Sequence, residues 1–140
     1  MVAFLRRNVV RPLLSLCLAL ALGLSLSLTA CSSASSLSGN YVDDTVSVAH
    51  SLLSTITIAQ DDPSRQEAET QASSLIKDYV ARYRPRRDVN GLGSFTTMQT
   101  ALNSLAAHYS AYANRPLPDT LRARLEKELK MAESGAVRGA

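Results

Sequence analysis

The sequence predicts an all-α protein, an up-down-up-down four-helix bundle that follows a cleaved lipoprotein signal peptide. Three observations predict it: an N-terminal apolar run that ends at a cysteine, four later stretches with apolar residues at helical spacing, and short links between them. The predicted domains are a signal peptide at 1–30, a lipidated Ser-rich tether at 31–39 and the bundle at 40–140. The four helices are expected at roughly 43–59, 63–84, 94–112 and 118–134.

The N-terminal segment has the parts of an export signal. Three arginines precede residues 13–28, an uncharged run rich in Leu and Ala. The run has about 16 residues and a membrane-spanning helix needs about 20, so a cleaved signal is favoured over a single-pass anchor. The sequence Leu28-Thr29-Ala30-Cys31 matches the bacterial lipobox, in which an aliphatic and two small residues precede a cysteine. We therefore predict S-diacylglyceryl and N-acyl groups on Cys31, the alternative being a chance cysteine after an ordinary signal.

The first two helices are predicted from their apolar faces. In the first, Asn40 or Asp43 can cap the start. Its many β-branched residues leave a strand as the alternative, but the period and the length favour a helix. The expected inward stripe is Val42, Val46, Ala49, Leu53 and Ile56, broadened by Leu52, while Val48 and Ile58 fall outside it. In the second helix, Ser64 and Glu67 resemble a capping box and Pro85 ends the helix.

The third helix has the most regular pattern in the chain, and Ser94 can cap it. Its apolar positions are spaced by 3, 4, 3, 4 and 3 residues and are Phe95, Met98, Leu102, Leu105, Tyr109 and Tyr112. The fourth helix follows a proline-containing link, and its predicted inward residues are Leu121, Leu125, Leu129 and Ala132. We expect the tyrosine hydroxyls to lie near the rim of the bundle.

Charge and composition argue against several function classes. The formal net charge is +3, but Arg6, Arg7 and Arg11 all precede the apolar run, so the mature chain is close to neutral. With no Trp and few aromatic residues, nucleic-acid binding is not expected. Cys17 and Cys31 both lie in or beside the targeting segment, so the bundle has no thiol for a disulfide or a metal site.

Two histidines are the only candidates for chemistry, and we interpret both as partly exposed flanking residues. In a bundle of this topology, His50 and His108 would lie roughly 10 Å apart along the axis, too far to share one ion. No nucleophile, metal-protease or phosphate-loop motif is present. We therefore expect no catalytic residue, no metal and no cofactor, and the protein is predicted not to be an enzyme.

A basic cluster at 82–87 contains four arginines and one tyrosine. It is interpreted as a solvated helix end that complements the helix dipole, or as a contact for anionic lipid head groups or an acidic partner.

Several motifs resemble one family. They are the run at 94–106, SFTTMQTALNSLA, the tyrosines at 109 and 112, and the sequence NRPLP at 114–118. A Gly39-Asn40-Tyr41 start and the Tyr79, Arg82, Tyr83 and Arg84 pattern also fit. The chain is identified as a member of the photosystem II assembly lipoproteins of the cyanobacterial type, number twenty-seven of the Psb series.

The resemblance implies a four-helix bundle anchored by lipid on the lumenal side of the thylakoid membrane. It implies binding to immature photosystem II through the lumenal loop of the smaller core antenna chlorophyll protein, before the manganese cluster is assembled. The bound factor would hold off the extrinsic subunits. We expect a monomer that contacts its partner near Asn114, Arg115 and Pro116, although these residues could be only a helix link. The alternative function is a generic surface lipoprotein with a structural or sensory bundle.

Overall fold

The computed structural model describes residues 36–113 and 115–140, which form four α-helices. They are α1 (Tyr41–Ile56), α2 (Arg65–Tyr83), α3 (Gly93–Ala111) and α4 (Asp119–Arg138). The predicted all-α class is confirmed. The predicted signal peptide and two of the predicted site residues, Cys31 and Asn114, lie outside the described residues.

Contacts between helix ends establish the predicted topology. The hydroxyl of Tyr83, at the end of α2, donates to Asp44, at the start of α1. The N–H of Ser94, at the start of α3, donates to the carbonyl of Ala140, just after α4. Neighbouring helices are therefore antiparallel, and the bundle is up-down-up-down. We call the end where α1 and α3 begin the tyrosine end, and the opposite end, which holds the α3–α4 connection, the link end.

The core runs along the whole bundle and is built from aliphatic and aromatic side chains. Leu102, Leu105, Leu125 and Leu129 are fully buried where α3 packs against α4. Burying each such side chain contributes roughly 1.5–3 kcal/mol to stability. The regular spacing in α3 thus predicts its buried side correctly except for Tyr109 and Tyr112, which are half-buried and exposed.

The buried side of α1 differs from the predicted stripe. Val48, predicted to lie outside the stripe, is fully buried, whereas Val42, Val46 and Leu53 are only half-buried. The remaining predicted positions are buried as expected: Ala49, Leu52 and Ile56. Two polar residues of α1, Asp44 and Thr45, occupy inward positions as well. Their hydrogen bonds to buried tyrosines of α2 allow polar groups to replace aliphatic ones there, which turns the helix away from the orientation that its apolar residues alone favour.

The helix ends confirm one predicted cap and contradict two. The side chain of Asn40 accepts from the backbone N–H groups of residues 42 and 43, as a helix cap does. Ser64 occupies the N-cap position of α2, but its side chain makes no capping hydrogen bond, since its N–H and hydroxyl both donate to Asp62. Ser94 lies inside the first turn of α3, where its hydroxyl is 2.8 Å from that of Tyr41. In α4, the helix continues past residue 134 and ends at Gly139, which has φ of 77°.

No helix within the described ranges combines the length and the apolar content that crossing a bilayer requires.

Candidate docking surfaces

A buried carboxylate at the tyrosine end fixes the chain where it enters the bundle. The Asp44 side chain, on a residue that is 3% exposed, accepts four hydrogen bonds. The N–H and the hydroxyl of Ser38 both donate to Oδ1 at 2.7 Å. The N–H of Gly39 donates to Oδ2 at 2.9 Å, and the hydroxyl of Tyr83 donates to the same oxygen at 2.5 Å. Together with the burial of Leu37, these bonds hold residues 37–39 against the bundle.

The electrostatics of this cluster keep the carboxylate ionised. Burial raises the pKa of Asp44, but the hydrogen bonds from Tyr83, Ser38 and Gly39 together outweigh it, and the pKa lies below its ordinary value. Burial, and then the hydrogen bond to Asp44, raise the pKa of Tyr83. The negative charge of Asp44 is stabilised by hydrogen-bond donors that the fold holds in place, and Tyr83 stays protonated as one of those donors. The cluster is thus a structural lock, without a free base or nucleophile. This also corrects the expectation for the tyrosines, because Tyr79 and Tyr83 are fully buried and hydrogen-bonded.

The arginines of the 82–87 cluster have different surroundings. Arg86 lies over the Tyr83 ring with its guanidinium carbon 5.4 Å from the ring centre. It also donates to the Gly39 carbonyl at 3.2 Å and pairs with Asp88 at 2.6 Å. Arg86 therefore belongs to the lock, while Arg84 and Arg87 extend into solvent.

At the link end, the structure describes two of the three predicted partner-binding residues. Arg115 and Pro116 are exposed. The guanidinium carbon of Arg115 lies 5.8 Å from the centre of the Tyr112 ring, which is itself on a residue that is 51% exposed. The neighbouring Leu117 is buried and attaches the link to the core. The connection thus presents a guanidinium beside an aromatic ring on an anchored backbone.

The two histidines lie in separate environments, and one prediction about them is wrong. His108 is only 7% exposed, and its Nε2 is 3.3 Å from the Arg115 carbonyl oxygen, so this nitrogen carries the proton that is donated. His50 is exposed, with Nε2 3.1 Å from a carboxylate oxygen of Glu133. Across residues 36–113 and 115–140, no group of three or more His, Cys, Asp or Glu residues is placed to hold a metal ion.

A surface that sequence reasoning missed is the groove between α2 and α3, with a volume of about 710 Å³. Apolar residues form most of its lining, and two cations, Lys77 and Arg84, lie at its edge. The lining consists of Ile76, Lys77, Val80, Ala81, Arg84, Pro85 and Asn103. One sequence signal could have indicated it: α3, 19 residues long, contains no Asp, Glu, Lys or Arg, although seven of its residues are exposed.

Comparison with known proteins gives the family. The family model described as Photosystem II Pbs27 matches residues 6–135. Photosystem II lipoprotein Psb27 of Synechocystis is 49% identical over 110 residues, which cover 79% of this chain and 82% of that protein. The solution structure of Psb27 from cyanobacterial photosystem II superposes with a TM-score of 0.74 at 47% identity, covering 81% of this chain and 99% of that one.

A plant relative is more distant. Photosystem II repair protein PSB27-H1 of Arabidopsis thaliana is 30% identical over 100 residues, which cover 71% of this chain and 58% of that protein. The crystal structure of PSB27 from the same plant gives a TM-score of 0.69 at 30% identity and covers 71% of this chain and 98% of that chain. The chain belongs to this photosystem II family, whose members bear the name Psb27.

Proposed function

We propose that this protein is a photosystem II assembly and repair factor, held by lipids on Cys31 at the lumenal face of the thylakoid membrane. The observation that carries the proposal is the family match across residues 6–135. Relatives in that family are named as an assembly factor lipoprotein and as a repair protein. The lipobox that ends at Cys31 supports the anchor.

In this proposal the protein works by occupying a surface. It binds immature photosystem II at the lumenal loop of the smaller core antenna chlorophyll protein, before the manganese cluster is built, and holds off the extrinsic subunits. A lipid anchor confines the protein to the membrane plane and raises its effective concentration at the target. An interface below roughly 1,200 Å² would then be enough for binding and would still allow release.

Part of the contact is proposed at Asn114, Arg115 and Pro116. Arg115 is exposed and lies beside Tyr112, so less of its side-chain freedom is lost on binding. A guanidinium can bind a carboxylate through two hydrogen bonds, which suits recognition of an acidic loop. The burial of Leu117 holds the adjoining backbone in place.

The test is co-purification of the tagged full chain from native membranes. We expect it to retain photosystem II intermediates that contain the smaller core antenna protein and lack the extrinsic subunits. Recovery of envelope proteins without chlorophyll proteins would instead indicate a generic surface lipoprotein and would overturn the proposal. The anchor is tested separately: the mass of the mature N-terminal peptide should include acyl groups on Cys31, and a Cys31→Ser variant should be lost from the membrane.

The contact surface needs its own comparison. Arg115→Glu should reduce co-purification, whereas Lys127→Glu, an exposed cation of α4 changed in the same way, should not. Equal recovery of the Arg115→Glu variant and the wild-type protein would reject the assignment of the link end, while leaving the assembly role intact.

A further inference from the structure

We infer that the groove between α2 and α3 is a docking site for an acidic, amphipathic segment of a partner protein. The inference deepens the proposed function and rests on it only for the identity of the partner. It places a second contact about half a bundle length or more from the link end.

The lining of the groove suits an apolar strip of a partner. Ile76 lies at its floor and is buried, and Val80 is half-buried beside it. Pro85 closes the groove at the tyrosine end and Asn103 lines it from α3. Filling such a groove removes apolar surface from water, which stabilises the complex by roughly 25 cal/mol for each Å² buried.

The charges at the edge specify the chemistry of the occupant. Lys77 and Arg84 are exposed and seven residues apart, which is about 10 Å along a helix axis. Within the ranges that the structure describes, neither side chain has an ion-pair partner. Along α2 no acid lies three or four residues from Lys77, and the adjacent Asp78 points to a different face of the helix. Asp88 follows Arg84 by four residues but pairs with Arg86. Two uncompensated cations therefore flank an apolar floor.

Asn103, the one α3 residue among those lining the groove, adds no charge, and neither do its exposed neighbours on that helix. The outward residues of α3 that follow one another along its surface are Thr96, Thr100, Asn103 and Ala107. Small neutral side chains of this kind cost little to desolvate when a partner covers them. The groove thus has one cationic edge, one neutral edge and an apolar centre.

An incoming helix matches this pattern when carboxylates two turns apart face Lys77 and Arg84 and the apolar residues between them face Val80. A lipid is a poorer match, because one phosphate reaches only one of two cations about 10 Å apart. A second copy of this chain would have to present an acidic ridge of the same spacing.

The experiment is site-specific photo-cross-linking with the full chain in its native membrane. A benzoylphenylalanine replaces Asn103 in the groove or, as a control, Met131, which is exposed on α4. The cross-linked peptide is then sequenced. We expect the Asn103 probe to capture a peptide that has acidic residues flanking apolar ones at helical spacing, and the Met131 probe not to capture it.

Charge reversal tests the same point. The variant Lys77→Glu/Arg84→Glu should lower the cross-link yield and the affinity for the captured partner roughly tenfold or more. The matched control Lys130→Glu/Arg138→Glu changes the same residue types near the end of α4 and should leave both unchanged. Circular dichroism of each variant verifies that the bundle is folded.

The outcomes separate the groove from the broader function. A cross-link from Asn103 to a lipid, to a second copy of this chain or to a peptide without acids overturns the inference, as does one that survives the Lys77 and Arg84 reversals. Capture of photosystem II by the Met131 probe alone overturns the groove but supports the assembly role. Capture from Asn103 of a charge-sensitive acidic segment outside photosystem II supports the groove and overturns the proposed partner.

Discussion

Replacing Asp44 by Asn is the most direct test of the lock at the tyrosine end. The substitution keeps the size of the side chain and one oxygen, which can still accept from the N–H and hydroxyl of Ser38. At the position of Oδ2, an amide NH₂ would instead face the N–H of Gly39 and the hydroxyl of Tyr83, both of which are donors. Both hydrogen bonds to a charged acceptor are then lost: the Gly39 N–H has no acceptor, and the Tyr83 hydroxyl can only accept from the neutral amide.

The magnitude follows from those two bonds. A hydrogen bond to a charged group contributes roughly 1.5–3 kcal/mol, so we expect the free energy of unfolding to fall by about 3–6 kcal/mol. The total free energy of unfolding of a small domain is about 5–15 kcal/mol. For a bundle of about 100 residues, the midpoint of thermal unfolding should fall by at least about 12 °C. Urea and thermal denaturation followed by circular dichroism would measure both changes.

Asp43 provides a matched control, because it is the adjacent residue in the same helix turn and is exposed. Asp43→Asn removes the same charge near the helix N-terminus and should cost less than about 1 kcal/mol. If the two variants have the same stability, the carboxylate of Asp44 does not hold the chain entry.

The pH dependence has a definite sign. The pKa of Asp44 is lower in the folded protein than its ordinary value of 3.8. The stabilisation is therefore fully present above about pH 4 and is lost as the pH falls through the folded-state pKa. The stability difference between wild type and Asp44→Asn should be constant near neutral pH and should shrink in acid; a difference that grows in acid would contradict the mechanism.

Three other substitutions have expected outcomes. Gly39→Ala should lower the free energy of unfolding by roughly 1–2 kcal/mol, because φ at this residue is 92°. As a control, Gly91→Ala adds a carbon with no heavy atom within 4 Å and should unfold at the same urea concentration as the wild type. Leu102→Ala should lower the free energy of unfolding by about 2–5 kcal/mol in the same assay, since its side chain is fully buried. His108→Ala removes the donor to the Arg115 carbonyl and should speed amide hydrogen exchange at residues 112–117 but not in α1.

The number and order of the helices could be predicted because an apolar residue every three or four positions is a local signal. The orientation of α1 could not. Its inward polar residues are stable only because tyrosines 34 and 39 positions further along the chain meet them. A prediction based on apolar residues alone places Asp44 in solvent. It therefore places Val46, which is only half-buried, on the inward side of the helix.

The burial of His108 and the groove beside α2 could not be predicted for related reasons. The burial of His108 depends on the α3–α4 connection folding back across it, which its own helix does not encode. The groove beside α2 depends on how α2 and α3 pack together, which the sequence of neither helix predicts. Only the absence of charged residues in α3 can be read from the sequence. The spacing of apolar residues predicts which side of a helix is buried. The absence of charged residues on the exposed side of α3 is a separate signal, and it points to a surface that a partner could cover.

With lipids on Cys31, as proposed, the lock would give the two candidate contacts different positions relative to the membrane. The chain enters the bundle at Leu37, six residues after Cys31, and six residues span at most about 20 Å. A lipid on Cys31 would therefore keep the tyrosine end near the bilayer. The groove reaches that end at Pro85, whereas Arg115 lies across a helix about 28 Å long. A partner that engages both must extend along the bundle from the membrane outward, so reversing the charges in the groove and reversing Arg115 should remove separable parts of one interface.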